Sequence, residues 1–398
     1  MIKINGARLI EDLENQGKIG WKKGEGLFRE AYSEDYIKVR DYVERRMKEA
    51  GLKTRVDTVG NIFGRLEGRD SKAKTILTGS HLDAVKAGGM LDGAYGVIAG
   101  LEALRTLKES GVQPRHSIEA VGFIAEEGGP LGGTYGSRAF TGQMETPPSD
   151  EVLESYGMKK KDIADARADI ESYAAFMELH IEQGPVLWRK KIPIGIPTAI
   201  VGITRYKGCV SGEANHAGTT PMLERKDAVY QTVVLLHEWL EYMRAQENMV
   251  CNIGYIDVEP GQIGIVPGET RFGIEIRSTE KENTHNAVNK LKEIFSKAEI
   301  CTANVELWVD KPPVKLDEKV IDAIEGVSRE LDIECMRMPS GASHDASPLA
   351  RVMPAGMIFV PSINGISHNK EESTEKEDLI KGAAVLANTL LKLDTILA

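Results

Sequence analysis

A histidine, two aspartates and a pair of glutamates in one early stretch of this chain have side chains that could do chemistry. They are His81, Asp83, Asp92, Glu126 and Glu127, and each segment that carries them adjoins an apolar run. Imidazole and carboxylate are common ligands of divalent metal ions, and a carboxylate can also take a proton from water. The pattern indicates a site that holds two divalent metal ions and a general base.

Each of these segments also has an ordinary structural interpretation. His81 and Asp83 could belong to a solvated turn, and Asp92 could cap the helix that follows it. Glu126 and Glu127 could be a charged loop after an edge strand. However, two adjacent carboxylates at a buried strand end repel each other and are costly unless a cation is present, which favours the metal site.

Two further histidines follow apolar segments in the same way. His180 comes after residues 176–179, and His368 lies within residues 365–369. Taken singly, each is typical of a buried histidine with satisfied hydrogen bonds. In open parallel sheets, however, ligands bind at the carboxyl ends of the strands. Because His81, Asp92 and Glu127 lie at similar positions, all five side chains could hold two ions that share one carboxylate.

The division of labour among these residues follows from their spacing. Alternate residues of an extended segment point the same way, so only one of His81 and Asp83 needs to face the metal. We expect His81 to bind and Asp83 to orient the His81 ring from behind. One glutamate of the 126–127 pair can bind metal while the other accepts a proton.

The elements that must position these residues alternate between strands and helices. Ser33 can cap a helix that runs to Met47 and ends at Gly51. A second helix is predicted from residue 96 to residue 107. Short apolar runs predict buried strands at residues 75–79, 120–124, 176–179 and 357–360. This order predicts an α/β catalytic domain with a mixed, mostly parallel sheet covered by helices.

The middle of the chain has a different pattern. Strand signals at residues 204–211, 250–258, 270–277 and 305–308 enclose helical segments at residues 227–243 and 283–298. The order strand, helix, strand, strand, helix, strand is that of a ferredoxin-like α+β unit. We therefore expect a domain of residues 202–312 inserted into a discontinuous catalytic domain of residues 1–201 and 313–398.

Composition excludes several classes of protein. A chain of 398 residues is long enough for two domains, and its formal net charge of -10 argues against binding to nucleic acid. Apolar runs are too short to span a membrane, and residues 1–6 lack the apolar core of a signal peptide. The four cysteines form no CxxC pair, which indicates reduced thiols. We expect a cytoplasmic protein without membrane or nucleic-acid partners.

Longer motifs resemble a known family. The segments Gly79–Asp83, Glu178–Pro185, Ala214–Met222, Ser340–Ala346 and Gly365–His368 are similar to those of the amidohydrolases that cleave N-carbamoyl amino acids, ureidopropionate and allantoate. These enzymes belong to the larger group of metallopeptidases typified by aminoacylase and carboxypeptidase G. The segment around His180 is the most specific, because the peptidases usually carry an acidic residue at that position.

The resemblance implies a role for each site residue. His81, Asp92 and His180 would hold one metal ion, and Asp92, Glu127 and His368 the other. The ions would be zinc or manganese, with cobalt or nickel as alternatives.

The catalytic and substrate-binding roles are implied in the same way. Glu126 would be the general base, with Asp83 orienting. Gln183 and His216 would contact the substrate amide or ureido group, and Arg277 its carboxylate. In the family the equivalent of His216 reaches the active site of the partner subunit, which implies a homodimer whose inserted domain serves as lid and dimerisation domain.

The chain departs from the family near the substrate. Gly264 stands where the family usually has an asparagine that assists the arginine, Glu275 replaces an aspartate, and Gly129–Leu131 replaces Ser-Arg-Phe. The leading hypothesis is hydrolysis of N-carbamoyl-L-amino acids, allantoate or ureidopropionate to an amino acid, ammonia and CO2. The alternatives are a dipeptidase or N-acyl amino acid hydrolase, and a catalytically silent homologue that binds a metabolite or protein. The resemblance also places His344 and Asp345 near the substrate.

Overall fold

The structure is a computed structural model that describes residues 1–397. The chain divides into two compact units. The first comprises Met1–Thr198 and Lys315–Ala398, and the second comprises Ala199–Val314. None of the helices within residues 1–397 combines the length and apolar character that a membrane span requires.

The helices are numbered along the chain. They are α1 (Gly6–Gly17), α2 (Glu34–Glu49), α3 (Ala94–Glu109), α4 (Tyr135–Thr141), α5 (Asp150–Ser155), α6 (Lys160–Asp165), α7 (Val186–Lys190), α8 (Ala228–Arg244), α9 (Lys281–Phe295), α10 (Glu318–Glu330), α11 (Ala346–Ala350) and α12 (Lys376–Ile396).

The strands are numbered in the same way. They are β1 (Trp21–Lys22), β2 (Gly26–Leu27), β3 (Lys53–Val56), β4 (Ile62–Leu66), β5 (Thr75–His81), β6 (Ile118–Phe123), β7 (Tyr173–Ile181), β8 (Ile194–Ile200), β9 (Gly202–Ser211), β10 (Asn215–His216), β11 (Met249–Glu259), β12 (Ile265–Val266), β13 (Glu269–Ser278), β14 (Thr302–Lys311), β15 (Val314–Lys315), β16 (Cys335–Ser340) and β17 (Ala355–Val360).

The main sheet has a parallel centre with antiparallel flanks. Its strand order is β15-β8-β17-β7-β5-β6-β4-β3, and β16 pairs with β8. The four central strands β6, β5, β7 and β17 run parallel, whereas β4, β3 and β8 pair antiparallel. Helices α3 and α12 pack against the central strands. The predicted mixed, mostly parallel α/β fold is confirmed.

The central strands are apolar because they are buried on both sides. Every residue of Thr75–His81, Ile118–Phe123 and Ala355–Val360 is buried. A strand buried on both faces has a continuous apolar sequence rather than an alternating one. The polar residues that follow these runs are therefore placed at the carboxyl edge of the sheet, where the candidate site lies.

Helix starts also follow their sequence signals. Ser33 caps α2 by accepting a hydrogen bond from the backbone N–H of Tyr36 at 3.1 Å, as its residue type predicts. The cap of α3 is Gly93, which makes no side-chain capping bond. Asp92 is therefore not the helix cap, and its carboxylate is available to the site.

The second unit has its own sheet and core. Its four strands pair antiparallel in the order β11-β13-β9-β14, which is the ferredoxin-like arrangement for the element order β9, α8, β11, β13, α9, β14. Alternate residues of β13, including Phe272, Ile274 and Ile276, pack with Trp239 of α8 and Leu291 of α9 in one buried cluster.

Candidate metal centre

The four central strands of the main sheet each lead to a residue of the candidate site. His81 is the last residue of β5, and His180 is next to last in β7. Glu127 follows β6, and His368 follows β17. Because these strands are parallel, their carboxyl ends meet at one edge of the sheet. Residues far apart in the chain are thereby brought together.

Asp92 lies between two ligand sets, with His81 and His180 on one side and His368 and Glu127 on the other. Its Oδ1 atom is 3.1 Å from Nε2 of His180 and 3.6 Å from Nε2 of His81. Its Oδ2 atom is 3.1 Å from Nε2 of His368, and that nitrogen is 3.4 Å from Oε2 of Glu127. The two oxygens of one carboxylate therefore face two different ligand sets.

In each of these two sets the possible ligand atoms lie close enough together to bind one metal ion. The ligand atoms of His81, Asp92 and His180 lie within 4.8 Å of one another, and so do those of Asp92, Glu127 and His368. The five predicted ligands are thus brought together in the first unit. All are buried or nearly so except His368, whose side chain is 51% exposed.

Local backbone geometry makes room for this arrangement. Gly93 has φ +63°, and a Cβ atom there would lie 2.4 Å from the His81 ring. Glycine is required at this position both for its conformation and for the close approach of the imidazole. Ala125, Gln183 and His368 also have positive φ, between 54° and 60°. Such conformations are costly in residues other than glycine and cluster at functional sites.

Asp83 orients the glutamate pair through their backbone. Its Oδ1 accepts the N–H of Glu126 and its Oδ2 that of Glu127, both at 3.1 Å. The His81 ring is held differently from our expectation, because Nδ1 lies 3.0 Å from the backbone carbonyl of Asp83 and 3.8 Å from its Oδ1. The carboxylate is too far away for a hydrogen bond to the ring.

Burial and neighbouring negative charge raise the pKa of both glutamates. Burial, with Asp345, Asp83 and Asp92 nearby, raises the pKa of Glu126 well above its usual range, although His81 opposes this. Burial, with Asp92 and Glu126, likewise raises the pKa of Glu127. A carboxylate with a raised pKa is suited to accept a proton near neutral pH.

The pKa values of two imidazoles are also raised, because the nearby carboxylates favour their protonated form. Burial disfavours protonated His81, but Asp92, Glu126 and Asp83 outweigh that effect and raise its pKa. Asp92 raises the pKa of His368 to about 9, with a further contribution from Glu127. Without metal ions, protonated imidazoles can thus offset the carboxylate charge.

The donor set fits divalent metal ions. Imidazole nitrogen and carboxylate oxygen are ligands that zinc and other first-row divalent metals accept. Oε1 of Glu127 is buried and has no hydrogen-bond partner in the described part of the chain, which leaves a negatively charged acceptor open to a cation. The compact clusters and this open acceptor agree in favouring metal.

Gln183 lies beside the second ligand set. Its Nε2 donates to Oδ2 of Asp92 at 3.0 Å and lies 3.4 Å from Nε2 of His368. Its Oε1 is buried and has no hydrogen-bond partner within residues 1–397. This predicted substrate-contacting residue is therefore adjacent to the candidate ligands and retains one unsatisfied acceptor.

Glu372 is a site residue that the sequence did not reveal. Its Oε1 accepts the backbone N–H groups of Leu91 and Asp92, both at 3.1 Å, and its Oε2 accepts the hydroxyl of Ser367 at 2.8 Å. Burial, with Asp92 nearby, raises its pKa to about 7. Glu372 ties the segment of Asp92 to that of His368, and no local motif signals this role.

Glu178 of β7 and His344, which lies in the loop between β16 and α11, support the site. The His344 ring packs edge-on against that of His180 with centroids 4.6 Å apart, and its Nε2 is 2.9 Å from the Ser340 hydroxyl. Glu178 accepts hydrogen bonds from Ser80 and from the backbone of Ala346. Although Glu178, His180 and His344 form a third compact group, these bonds give Glu178 and His344 a structural role.

Asp345 lies in the same buried region. Its Oδ1 accepts a hydrogen bond from the hydroxyl of Ser137 at 2.5 Å, and its Oδ2 has no hydrogen-bond partner among the residues that the structure describes. Burial raises its pKa to about 7, with His81 opposing. Its negative charge also contributes to the raised pKa of Glu126, which links it electrostatically to the presumed base.

The remaining predicted substrate residues belong to the second unit. His216 is exposed on β10, which pairs with β12, and the N–H of Ala217 donates to the carbonyl of Gly264 at 2.9 Å. The departure at Gly264 is therefore next to His216. Arg277 on β13 donates from Nε to Glu275 at 2.7 Å, and Glu275 also accepts from Arg205.

Comparisons with known proteins agree with this geometry. The family model described as "Peptidase family M20/M25/M40" matches residues 77–392. The chain belongs to the M20/M25/M40 family. Enzymes of this family are metal-dependent hydrolases, and the chain carries matching candidate ligand groups.

Two relatives and one solved structure cover almost the whole of this M20 chain. It is 34% identical over 389 residues to an N-carbamoyl-L-amino-acid amidohydrolase of Paenarthrobacter aurescens, with 94% of each chain covered. It is 35% identical to the allantoate amidohydrolase of Escherichia coli (strain K12), over 92% of this chain and 93% of that protein.

The structural neighbour is an amidase of the hydantoinase/carbamoylase family from Burkholderia phymatum. It has a TM-score of 0.88 and 31% sequence identity, and the match covers 100% of both chains. These similarities confirm the predicted resemblance. This M20 chain is a hydrolase of the class that acts on amide or ureido C–N bonds.

Proposed function

We propose that this enzyme hydrolyses an N-carbamoyl-L-amino acid, or a related linear ureide such as allantoate or ureidopropionate, using two divalent metal ions in each subunit. The observation that carries the proposal is the position of Asp92, whose two oxygens each lie 3.1 Å from a different histidine. A carboxylate shared by two ligand sets is what a dinuclear centre requires. The names of the relatives support the substrate class.

The proposed ligands divide into two sets that share Asp92. His81 and His180 join its Oδ1, and Glu127 and His368 join its Oδ2. Zinc or manganese suits these nitrogen and oxygen donors, with cobalt or nickel as alternatives. When bound, the ions would polarise the substrate carbonyl and increase the acidity of water in the site.

Glu126 is the proposed general base. It takes a proton from the attacking water and delivers it to the departing nitrogen, so that the carbonyl C–N bond breaks as a C–O bond forms. For an N-carbamoyl substrate and one water molecule, the products are the amino acid, ammonia and CO2. The buried position of Glu126 and its raised pKa support this role.

Three further side chains are proposed to bind the substrate. Gln183 contacts the ureido or amide group through its free Oε1. His216 contacts the same group and stabilises negative charge that develops on the carbonyl oxygen. Arg277 grips the substrate carboxylate, for which its planar fork of N–H donors is suited.

The proposed enzyme is a homodimer in which His216 completes the site of the partner subunit. An apolar stripe on α8 supports self-association, because Tyr230, Val233 and Val234 are 57%, 59% and 43% exposed at helical spacing. A cytoplasmic location is also part of the proposal. The four cysteines are unpaired thiols, as a reducing compartment favours.

A substrate panel tests the function directly. Metal-free protein is reconstituted with zinc or manganese and assayed side by side with N-carbamoyl-L-amino acids, allantoate, ureidopropionate, N-acetyl amino acids and dipeptides. We expect a carbamoyl or ureido compound to have the highest kcat/KM, and ammonia to appear in step with the amino acid.

The same panel evaluates the alternatives. Dominant cleavage of dipeptides or N-acetyl derivatives would reject the proposed substrate class, and Gly264 is the departure that favours this outcome. Absence of both turnover and bound divalent metal would indicate a silent binding homologue. Glu126→Gln protein, assayed in parallel, provides the background for slow uncatalysed hydrolysis.

A further inference from the structure

Arg29 is a fully buried cation outside the candidate ligand set. Its exposed fraction is 0%, and no ion pair involves it within residues 1–397. Its Nη2 has no hydrogen-bond partner among the same residues. Asp83 favours the charge of Arg29, but a buried cation with no carboxylate in ion-pair contact is still costly, so it persists where the surrounding structure or the function requires it.

The guanidinium binds the backbone at the first ligand segment. Nε of Arg29 donates to the carbonyl of Leu82 at 2.8 Å. Leu82 stands between His81, a candidate ligand, and Asp83, which holds the backbone of the glutamate pair. The backbone N–H of Ala84 also donates to the carbonyl of Arg29 at 3.0 Å.

Gln16 extends this contact to the second ligand segment. Its side-chain oxygen accepts from Nη1 of Arg29 at 2.8 Å, and its Nε2 donates to the carbonyl of Met90 at 2.7 Å. Met90 lies two residues before Asp92. One continuous chain of hydrogen bonds, buried except at its Met90 end, therefore runs from Leu82 through Arg29 and Gln16 to Met90.

The segment that joins these two points lacks regular secondary structure. Residues 82–93 contain turns and a single bridge between Leu27 and Gly88, and belong to neither β5 nor α3. Strand and helix hydrogen bonds therefore do not set the separation of His81 and Asp92. In addition to the backbone bonds of Leu27 and Arg29 to this segment, the side chains of Arg29 and Gln16 contact it near both ends.

We propose that Arg29 and Gln16 are a positioning pair that sets the separation of His81 and Asp92 before metal binds. The inference rests on the proposed metal site and adds residues outside 77–392, the range that the family model matches. A site whose ligands are already in place loses less conformational entropy on binding, so the pair increases metal affinity without touching the metal.

Metal affinity is the first test. Arg29→Met and Gln16→Leu should each weaken zinc or manganese binding roughly 10–100-fold, as loss of outer-shell partners does. We expect the double variant to lose less than the product of the two single effects, because both residues act in one chain of contacts. Affinity is measured by competition with a chromogenic chelator.

Arg105→Met is the matched control. Arg105 is also buried, but it pairs with Asp12 and donates to the carbonyl of Arg46. Its loss should lower the Tm and leave metal affinity unchanged. Arg29→Lys tests whether metal affinity depends on the positive charge or on the hydrogen-bond geometry of Arg29. Lysine keeps the charge, but its single ammonium group cannot reproduce the fork of the guanidinium. Full recovery of affinity in Arg29→Lys would overturn the positioning role.

Hydrogen exchange of metal-free protein tests the pair without metal. Arg29→Met should increase exchange in residues 80–92 relative to Arg105→Met, whereas equal exchange in the two variants would overturn the inference. If wild-type protein binds no divalent metal, the proposed function fails, and the hydrogen-exchange comparison still tests the positioning role of Arg29. If wild-type protein and Arg29→Met bind metal equally well, the positioning role fails and the proposed function stands.

Discussion

Asp83 holds Glu126 by its backbone, because Asp83 Oδ1 accepts the N–H of Glu126 at 3.1 Å. The second oxygen of the same carboxylate accepts the N–H of Glu127 at the same distance. Both bonds need an acceptor, and a carboxylate offers one on each oxygen. Asp83 therefore orients the presumed base and a presumed ligand together.

Asp83→Asn is predicted to disturb both glutamates. The amide keeps one acceptor but directs an NH2 group at the other backbone N–H, which leaves a buried donor unsatisfied. We expect kcat/KM to fall roughly 10–100-fold and metal affinity to weaken. Chelator competition and steady-state kinetics measure the two effects. Unchanged values for both would show that this contact does not position the site.

Glu126→Gln is predicted to separate catalysis from metal binding. Glutamine cannot accept the proton, so kcat should fall by roughly three decades, within the range for acid–base catalysis. Metal content, measured by elemental analysis, should stay at the wild-type value. Glu127→Gln is the matched control, because it should reduce metal content. Near-normal turnover of Glu126→Gln would reject the assignment of the base.

Gly264→Asn is predicted to be tolerated and to improve substrate binding. A Cβ atom at Gly264 meets no atom within 4 Å, so the larger side chain has space. One added hydrogen bond should lower KM for carboxylate-bearing substrates by roughly 2–10-fold. An analogue without a carboxylate is the control, and its KM should not change. Equal effects on both compounds would exclude a role in carboxylate recognition.

Subunit mixing tests whether His216 acts in trans. His216→Ala and Glu126→Gln proteins should each be inactive, but a mixed dimer would contain one site with both native residues. With random association we expect about a quarter of wild-type activity. Mixing His216→Ala with the double variant provides no complete site and is the control. Lack of rescue in dimers shown to be mixed would contradict the shared site.

Asp57 is predicted to make the protein less stable as pH rises. It accepts hydrogen bonds from the backbone of Val59 and Asn61, yet burial raises its pKa from 3.8 to about 6. Its folded-state pKa is above the unfolded value, so the associated stability is full below about pH 4 and is lost as pH rises through 6. The cost at neutral pH is about 3 kcal/mol.

Thermal or denaturant unfolding of Asp57→Asn checks this prediction. Asparagine is neutral at every pH, so the variant should gain stability relative to wild type between pH 4 and pH 7. Asp41→Asn, which removes an exposed carboxylate, is the control and should show no such change. A constant difference between Asp57→Asn and wild type across this range would contradict the raised pKa.

Local signals in the sequence were sufficient to predict the strands that carry or precede the candidate ligands. Apolar runs predicted the buried strands that end at His81 and near His180, because a strand buried on both faces has few polar residues. The residues just after such runs in a parallel sheet are at its carboxyl edge. The candidate ligands could therefore be grouped without knowledge of any distance.

Sequence patterns did not predict the hydrogen bonds that hold the ligand segments in place. Glu372 is far along the chain from Asp92, and Arg29 is far from Leu82, yet both pairs are joined by hydrogen bonds. Nothing in the local sequence of Glu372 or Arg29 differs from that of an exposed charged residue. The role of such residues depends on which backbone groups, far away in the sequence, lie within hydrogen-bond distance after folding.

The sequence by itself determined the strand and helix order, the family and the set of side chains able to bind metal, because these follow from local hydrophobicity and motif chemistry. Only the tertiary structure decided that Asp92 faces two ligand sets and is not a helix cap. It also decided that the Asp83 carboxylate binds the backbone of the glutamate pair and not the His81 ring. The physical reason is that the choice of hydrogen-bond partner depends on differences in distance of a few tenths of an ångström. Those distances are set only when the strands pair and pack.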